Sequence, residues 1–445
     1  MVRRNRLASV LSLIGLVSLS YLLGAAVIFF ELPSASFLRR AFVGGVALYE
    51  RKGNQSLSEE QFSPPTVGQL DTSGKACYGY TLCMYGNDLR AVLVNMRGDV
   101  VHQWRVPFSQ LWSAPPHVRG RIEDTSVYFN DGYIFPNGDL LAVMEGPINL
   151  QNISPGYGLV KLDKDSRVLW KYAEKCHHDV DVAEDGTIYT LVNAVVEQVP
   201  PAAAYIPTPC MVDYVDVLSP EGQLKKRIPL LEAFLDSPYA ALFGKLERAG
   251  TPRAAASAGS RMAFYMDDVH RRDVLHSNAV KVLSRKLAPK FPLFKAGQLL
   301  LSARHLDAIA MLDPESGKIV WAAHGPWSAQ HDPTFLDNGH LLLFDNLFSP
   351  RGSRVLEYDP KTQAFPWVYP GDKGKAFLSE IRGMCQRLPN GNTLIVNSQA
   401  GEALEVTPDR EVVWTISFNY AELYRVRRYT PEQLPFLGKE KQGRP

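Results

Sequence analysis

The segments AMLDPESGKIVW (310–321) and QHDPTFLDNGHLLLFDN (330–346) contain the two patterns that decide the fold of this 445-residue chain. In the first pattern, an apolar run leads into an acidic turn, a hydrophobic pair and a tryptophan. In the second, Asn338-Gly339 separates two apolar stretches, and such a pair is a strong hairpin signal because both residues tolerate positive φ. Together the two patterns predict a small antiparallel sheet.

Both patterns recur along the chain. Six copies of the first, five of them with the tryptophan, span 93–104, 160–170, 215–228, 310–321, 356–369 and 404–414. Five copies of the second begin at Phe135, Ala183, Lys295, Leu336 and Leu388. A repeat of ~40–50 residues with about four strands is typical of a propeller blade. The sequence therefore predicts an all-β fold, a six-bladed β-propeller over residues 76–420.

The predicted ring begins part of the way through a blade and contains one long insertion. The first half of a blade is missing before Leu93, so we expect Gly79-Tyr80-Thr81-Leu82 to begin it and a carboxy-terminal strand to close it. Residues 229–270 are rich in Ala, Arg and Leu and are predicted to form a helical insert. We assign 33–75 to a linker and 421–445 to a polar carboxy-terminal tail.

The amino terminus has the composition of a membrane anchor. Arg3, Arg4 and Arg6 precede an uncharged stretch at 7–30, which is long enough to cross a ~30 Å hydrocarbon core as a helix. Residues 1–32 are therefore predicted to form a cytoplasmic tip and a transmembrane signal-anchor helix, with the propeller in the periplasm or another extracytoplasmic space. The alternative is a signal peptide cleaved near 32–36. A net charge of +2 gives no reason to expect a nucleic-acid partner.

The five cysteines leave two interpretations open. Cys77 and Cys83 lie close together in the sequence, and Cys176 and Cys210 flank one repeat, which allows two disulfides with Cys385 as a free thiol. The alternative is five buried thiols. The sequence contains no CxxC pair, so the spacing matches no zinc pattern and no metal site is expected.

Two histidines occupy equivalent positions in two copies of the repeat. His178 lies eight residues before Gly186, and His331 lies eight residues before Gly339. Such positions lie at the innermost strand of a blade, which lines the central channel of a propeller. Two more basic residues, His276 and Arg304, lie at the ends of inner-type strands in the blade between them. We expect these four residues to converge near the axis and to form a site for a tetrahedral oxyanion.

Four further residues are candidates for auxiliary roles. Arg382 lies beside the equivalent position of the next blade and is expected to contact the anion. Asn346 ends a strand and is expected to reach the channel, and His177 is an alternative to its neighbour His178. Asp332 is interpreted either as orienting a neighbouring ring or as capping a local turn. The repeated tryptophans are assigned to the blade cores.

The segments HHDVD (177–181), LHSNAV (275–280), SARHLDAIAMLD (302–313) and QHDPTFLDNGHLLLFDN (330–346) resemble those of the bacterial arylsulfate sulfotransferases, over about Gly79 to Trp414. Members of that family are exported six-bladed propellers that move a sulfuryl group from a phenyl sulfate ester to another phenol without a nucleotide sulfate donor. The resemblance implies that His331 accepts the sulfuryl group as a covalent sulfohistidine. It also implies that His178, His276 and Arg304 hold the sulfate oxygens, and that no metal or organic cofactor takes part.

The implied partners are small molecules, an aryl sulfate donor and a phenolic or other hydroxyl acceptor. The chain departs from the family in keeping its anchor, and its linker at 33–75 is too short for the amino-terminal β-sandwich of the well-studied enzymes. The acceptor is therefore open, a membrane-proximal lipid or glycan included, and no oligomeric state is predicted. Two alternatives remain: a non-catalytic propeller that binds a glycan or a protein at the cell surface, and a quinone-dependent oxidoreductase, whose blades carry similar tryptophan turns.

Overall fold

Six antiparallel sheets are formed by the residues that the computed structural model describes, namely 64–70, 73–120, 122–148, 154–245, 273–349, 352–371, 377–418 and 423–438. Each sheet is one blade, and its strands are numbered in chain order. Blade 1 contains β2 (Tyr80–Tyr85), β3 (Arg90–Val94), β4 (Val100–Arg105) and β25 (Leu423–Tyr429); blade 2 contains β5 (Tyr128–Ile134), β6 (Leu140–Glu145), β7 (Gly156–Leu162) and β8 (Val168–Tyr172). Blade 3 contains β9 (Cys176–Val182), β10 (Ile188–Val196), β11 (Cys210–Leu218) and β12 (Leu224–Pro229); blade 4 contains β13 (Ser277–Val282), β14 (Leu299–Ala303), β15 (Ala308–Asp313) and β16 (Lys318–His324). Blade 5 contains β17 (His331–Phe335), β18 (Leu341–Ser349), β19 (Gly352–Tyr358) and β20 (Trp367–Tyr369); blade 6 contains β21 (Met384–Arg387), β22 (Thr393–Asn397), β23 (Glu402–Val406), β24 (Val412–Ser417) and β1 (Thr66–Gln69).

The innermost strands of the six blades form a closed ring. Contacts join β5 to β9, β9 to β13, β13 to β17, β17 to β21, β21 to β25 and β25 back to β5. Closure of this kind leaves no inner sheet edge available for pairing with another chain. The predicted all-β six-bladed propeller is therefore the fold of the described residues, and the polar residues of six strands meet around one axis.

Both ends of the described chain contribute to closing the ring. The strand β25 pairs with β2 in an antiparallel ladder, from Tyr80 opposite Tyr429 to Tyr85 opposite Leu423, with one register shift between Met84 and Tyr85. At the other end, β1 pairs with β24 and widens blade 6. The predicted closing strand is thus present, but the predicted boundaries need correction. The assigned tail at 421–445 contains the innermost strand of blade 1, and the assigned linker at 33–75 contains β1.

The hairpin turns lie where the sequence predicts them, but their backbone conformation differs from the predicted one. Gly186, Gly339 and Gly391 have φ of +85°, +87° and +89°, whereas the Asp or Asn before each has negative φ. In the turn at 336–340, Gly339 N–H donates to Leu336 O at 3.1 Å. The Gly alone therefore supplies the left-handed residue, as in a turn followed by a bulge, and the Asp or Asn is not required to adopt positive φ.

The six tryptophan-type copies are the third and fourth strands of the six blades. The fully buried Trp104 and Trp414 illustrate their role, because each indole crosses to a turn of the neighbouring blade. Trp104 Nε1–H donates to Gly138 O at 3.0 Å, and Trp414 Nε1–H donates to Met96 O at 3.0 Å. A buried indole needs such a partner, so these residues join adjacent blades as well as filling their cores.

All five cysteines are buried and free. Burial raises the pKa of Cys176 and Cys385 above the usual value for a thiol, with Asp216 and Asp332 adding to the effect. The prediction of two disulfides is therefore wrong in this structure, and the alternative of five buried thiols describes it. The spacing of cysteines in sequence did not reveal that every thiol is buried without a cysteine partner.

Two helices interrupt the strands of the described chain, α1 (Phe108–Leu111) and α2 (Leu230–Leu235). The second begins the predicted helical insert at 229–270 and is followed by a 3₁₀ turn at Ala240–Lys245. The remainder of that insert, from residue 246, lies outside the described residues, as does the predicted anchor at 1–32. Within the residues that the structure describes, no helix is long and apolar enough to span a bilayer.

Candidate functional site at the channel

Irregularities in the inner strands position the candidate side chains. The registers of β9 with β10, β13 with β14 and β17 with β18 shift at the residues next to His178, His276 and His331. A bulge of this kind redirects a side chain that regular pairing would place elsewhere. The sequence places a polar residue before each inner strand, and the bulges turn these residues to a common region.

The backbone is strained at the same place. His178 and His276 have φ of +59° and +49°, and so do Asp332 and Arg382 with +49° and +59°. Non-glycine residues in this region cost about 1–3 kcal/mol each and persist where the surrounding structure fixes them, which is most often at functional sites. The concentration of such residues at the inner strands marks this mouth of the channel as the candidate site.

His331 is held in one tautomer by two acceptors. Asn346 Nδ2–H donates to two carbonyl groups, Ser379 O at 2.8 Å and Arg382 O at 2.5 Å, so its Oδ1 is the atom that faces His331. His331 Nδ1 lies 2.8 Å from that Oδ1 and 3.0 Å from Ala329 O. Because both partners can only accept, Nδ1 carries the proton. The other ring nitrogen, Nε2, therefore keeps its lone pair.

The environment of His331 also keeps the ring neutral. Burial lowers its pKa well below the usual value, and the positive charge of Arg304 lowers it further, against the hydrogen bond that Nδ1–H donates to Asn346. The side chain is 7% exposed. A neutral, oriented imidazole with an unprotonated Nε2 has the properties of a nucleophile.

His178 lies beside His276, with ring centroids 5.0 Å apart. Its backbone N–H donates to the buried Glu145 carboxylate at 2.7 Å, and its carbonyl accepts from Asn130 at 3.0 Å. Burial, together with the charges of Arg382, Arg304 and Arg425, lowers the pKa of His178 to about 3. At neutral pH this ring is therefore uncharged.

His177 lies behind His178 and does not take its place at the channel. The two Nδ1 atoms are 2.7 Å apart, and His177 is 2% exposed. Burial lowers the pKa of His177 well below the usual value for a histidine, with the charge of His178 as the second cause. The structure therefore assigns the channel position to His178 and a supporting position to His177.

His276 is oriented by a carboxylate. Its Nδ1 lies 2.6 Å from Asp273 Oδ2, and its backbone N–H donates to Asp273 Oδ1 at 3.1 Å. His305 Nδ1 lies 2.8 Å from the carbonyl of Asp273. These three residues bring one potential metal-ligand atom each within 4.8 Å of one another, and the hydrogen bonds among them account for that grouping without a cation.

The charge of Arg304 acts to lower the pKa of His331, of His178 and of Asp273, the carboxyl group beside His276. Arg304 follows β14 directly, its N–H donates to His276 O at 3.3 Å, and it is half-buried. Its charge contributes to the lowered pKa values of His331 and His178 and acts on Asp273, the partner of His276. The four residues chosen from the sequence therefore share one electrostatic neighbourhood.

Arg382 lies against two aromatic rings of neighbouring blades. Its guanidinium donates to Asn130 Oδ1 and Tyr128 Oη at 3.1 Å each, and it lies 4.3 Å above the ring of Tyr424. Tyr128 and Tyr424 stack with centroids 3.9 Å apart. Arg382 thus joins blade 6 to blades 1 and 2 beside His178, and its carbonyl also orients Asn346.

Asp332 does not orient a histidine ring. Its two oxygens accept from Arg425 Nη1 at 3.0 Å and from Cys385 N–H at 3.2 Å. Arg425 Nε lies 2.5 Å from Asp131, and its Nη2 lies 3.4 Å from Asp179. Sequence reasoning missed this buried cluster because Arg425 falls in the segment that we assigned to a tail. The only available signal was that Asp131, Asp179 and Asp332 occupy matching places in three repeats.

Several other residues near the histidines were also missed. Glu145, Asn130, Asp213 and Asp273 hold the site histidines by hydrogen bonds or lie against them, and all four are buried. Their partners are fixed by the pairing of strands from different blades, which the sequence does not display. The arrangement can hold an anion against a neutral nucleophile, with one guanidinium and the imidazoles of His178 and His276 around it.

Comparison with solved structures gives only weak similarities. A protein of unknown function from Bacteroides caccae is 11% identical, with a TM-score of 0.47, and the match covers 79% of this chain and 99% of that one. A catalytically inactive virginiamycin B lyase from Staphylococcus aureus with quinupristin is 7% identical, with a TM-score of 0.37 and coverage of 82% and 88%. TolB from Acinetobacter baumannii is 10% identical, with a TM-score of 0.41 and coverage of 79% and 66%. Similarities at this level carry no conclusion about function.

Among curated proteins, none matches the sequence. The family model described as arylsulfotransferase (ASST) matches residues 134–419. This range is more than half of the chain, and it contains His178, His276, Arg304 and His331. The chain therefore belongs to the arylsulfotransferase (ASST) family.

Proposed function

We propose that this protein transfers a sulfuryl group from an aryl sulfate ester to a phenolic or other hydroxyl acceptor, through a covalent intermediate on His331 and without a nucleotide sulfate donor. Membership of the arylsulfotransferase family sets the reaction class. The observation that carries the finer proposal is the state of His331, whose Nδ1–H is fixed by Asn346 and Ala329 so that Nε2 is unprotonated.

In the first step, His331 Nε2 attacks the sulfur of the donor. An N–S bond forms, the bond between sulfur and the aryl oxygen breaks, and the phenolate leaves with the electron pair. The ring gains positive charge as the bond forms, and the Asn346 and Ala329 oxygens, which accept from Nδ1–H, stabilise it. In the second step the acceptor oxygen attacks sulfur, the N–S bond breaks, and the neutral imidazole is restored.

Arg304 is the group suited to hold the sulfuryl oxygens during transfer. The transition state spreads negative charge over three equatorial oxygens, as in phosphoryl transfer. A guanidinium keeps its charge at every relevant pH and offers a planar fork of donors. The rings of His178 and His276 lie beside each other, with centroids 5.0 Å apart, and complete the cradle as hydrogen-bond donors. Removing one preorganised donor of this kind typically costs about 100–1,000-fold in rate.

The proposal is tested with the purified chain, 4-nitrophenyl sulfate as donor and phenol as acceptor. We expect saturable release of nitrophenolate that requires the acceptor in the steady state. Parallel lines are expected in double-reciprocal plots, because the donor product leaves before the acceptor reacts. Failure to release nitrophenolate with any of several phenols and alcohols would contradict sulfuryl transfer from aryl esters.

The pH dependence is expected to differ from that of an ordinary histidine. A free imidazole loses its lone pair to protonation below about pH 6.5, but burial and Arg304 place the pKa of His331 well below that value. As pH falls from 8 to 5, kcat/KM for 4-nitrophenyl sulfate should therefore not decline through 6.5. A decline of about tenfold per pH unit below that value would mean that His331 is not the nucleophile or is not buried in this way.

A further inference from the structure

A chain of buried groups extends from His178 away from the channel. His178 Nδ1 lies 2.7 Å from His177 Nδ1, and His177 Nε2 lies 3.6 Å from Asp213 Oδ1. The second oxygen of Asp213 accepts from Ser277 N–H at 2.7 Å. His177 and Asp213 are 2% and 1% exposed, so both groups are shielded from bulk water.

The facing atoms of His177 and Asp213 require a proton between them. Among the described residues, neither His177 Nε2 nor Asp213 Oδ1 has a hydrogen-bond partner, and both are buried. Buried polar atoms are almost always paired, and these two are 3.6 Å apart. One of the two must carry hydrogen for them to pair, either Asp213 as the acid or His177 as the N–H donor.

Burial increases the fraction of Asp213 in the acid form. Burial raises the pKa of Asp213 to about 6, against the hydrogen bonds from Ser277. Burial also raises the pKa of Asp273 well above its usual value, and the charge of Asp213 adds to that effect. Two buried carboxyl groups that repel each other when ionised do not both lose their protons readily.

The proposed reaction needs a source of protons that His178 alone does not supply. The leaving phenolate takes up a proton, but His178 is a neutral ring with a pKa of about 3 and cannot act as an imidazolium acid near neutral pH. A neutral ring can still deliver its N–H proton if another proton reaches its second nitrogen at the same time. The contact with His177 provides that route.

We propose that Asp213 is the buried acid of the site and that its proton reaches the channel through His177 and His178, an inference that rests on the sulfuryl transfer proposed above. Asp213 Oδ1–H passes its proton to His177 Nε2, His177 Nδ1–H passes its proton to His178 Nδ1, and His178 Nε2–H passes its proton to the leaving aryl oxygen. Both rings end neutral, as they began, in the opposite tautomer, and Asp213 ends as a carboxylate.

The second half-reaction returns the proton along the same path. The acceptor hydroxyl gives its proton to His178 Nε2, His178 Nδ1–H gives its proton to His177 Nδ1, and His177 Nε2–H restores the acid form of Asp213. The buried acid is thus regenerated in each turnover without exchange with solvent. The relay defines the donor class as aryl sulfates of ordinary phenols, whose leaving oxygens are too basic to depart easily without a proton.

Asp213→Asn tests the relay, because the amide has the same shape and still accepts from Ser277 N–H but has no acidic proton. We expect kcat/KM for phenyl sulfate to fall by about 100-fold, within the range for general acid catalysis. With 4-nitrophenyl sulfate, whose nitro group stabilises the leaving phenolate, we expect a loss smaller than about threefold. His177→Gln interrupts the same route from the other side and should give the same selective loss.

The matched control is Asp216→Asn in the same strand. Asp216 is also fully buried, and it pairs with Arg227 at 2.7 Å and accepts from Tyr172 Oη at 2.8 Å, away from the histidines. Any loss of activity from this change should be equal for the two donors. An equal loss for the two donors in both Asp213→Asn and His177→Gln would overturn the relay.

A measurement without turnover separates the relay from the proposed function. In ¹⁵N-histidine NMR spectra, ionisation of Asp213 should switch the tautomers of His177 and His178 together, with neither ring becoming an imidazolium, and Asp213→Asn should abolish the switch. The charged and titratable groups that face the relay of Asp213, His177 and His178 are Glu145, Asp273, His276, Arg304, Arg382 and Arg425. No switch in the wild-type protein would overturn the relay. A switch in a protein that transfers no sulfuryl group would instead contradict the proposed function.

Discussion

His331→Ala should abolish nitrophenolate release from 4-nitrophenyl sulfate, with a loss on the order of 10⁴-fold or more, as expected when a covalent nucleophile is removed. The reason is specific to Nε2, which is the only ring nitrogen of His331 with a lone pair, because Nδ1–H is held by Asn346 and Ala329. Without Nε2 no N–S bond forms, and the reaction is left with the weaker contributions of Arg304 and the two neighbouring histidines. The measurement is steady-state release, together with the mass of the protein quenched after mixing with donor alone.

The control for this change is His340→Ala in the same blade. His340 pairs with Glu357 at 2.7 Å at the hairpin turn, is only partly buried, and should retain nearly all activity. The wild-type protein mixed with donor alone should gain the mass of one sulfuryl group on the peptide that contains His331, and the alanine variant should not. Undiminished turnover by His331→Ala, or a sulfuryl group on another residue, would exclude His331 as the nucleophile.

The fold could be predicted because its signals are local and repeated. Each blade shows an apolar run, a Gly turn and an aromatic residue at similar spacing, and six copies determine six blades without knowledge of any contact between them. The turn geometry was less accessible, since Asn338-Gly339 fits several hairpin types and only Gly339 adopts positive φ. The end of the ring was misassigned because the sequence LYRVRRY (423–429) has the charge of a solvated tail.

The candidate site was predictable to the extent that it repeats. His178 and His331 stand at the same distance from a turn glycine, so their common placement follows from the repeat alone. The groups that set their chemistry do not repeat. Asn346 fixes the tautomer of His331 from the neighbouring strand, and Asp213 reaches His177 from two strands away in blade 3. Such partners depend on register and on bulges, which no local pattern specifies.

The buried charge cluster around Arg425 explains why β25, the strand that the sequence assigned to a tail, is essential to the ring. Arg425 is 5% exposed and contacts one carboxylate from each of three blades, Asp131 in blade 2, Asp179 in blade 3 and Asp332 in blade 5. Lys281 of blade 4 adds a second cation at 2.6 Å from Asp179. Three inner strands are therefore joined to β25 by charge pairs, and β13 is joined to β9 in the same cluster.

Arg425→Met should lower the free energy of unfolding by about 3–5 kcal/mol, because removing one partner of a buried pair leaves uncompensated charge in the interior. The effect concerns the whole ring, since three blades lose a partner at once. The measurement is denaturant unfolding of the wild type and the variant at neutral pH. Arg105→Met is the control, because Arg105 pairs with Asp88 at 3.2 Å while 40% exposed, and a surface pair contributes at most about 1 kcal/mol.

The pH dependence and a second substitution distinguish lost charge pairing from lost packing in Arg425→Met. Burial alone would raise the pKa of Asp131, but the Arg425 guanidinium, together with the hydrogen bond to Asp179 and the charges of Lys281 and Arg427, holds that pKa below its usual value. A depressed pKa stabilises the folded protein above the unfolded value of about 3.9, and this contribution is lost as pH falls through the folded value. The loss of unfolding free energy in Arg425→Met should therefore be largest at neutral pH and become smaller in acid.

Adding Asp332→Asn to the variant should recover about 1 kcal/mol or more of that free energy, because one buried carboxylate then no longer needs a cation. A deficit that stays constant with pH and is not relieved by Asp332→Asn would show that Arg425 acts by filling space alone.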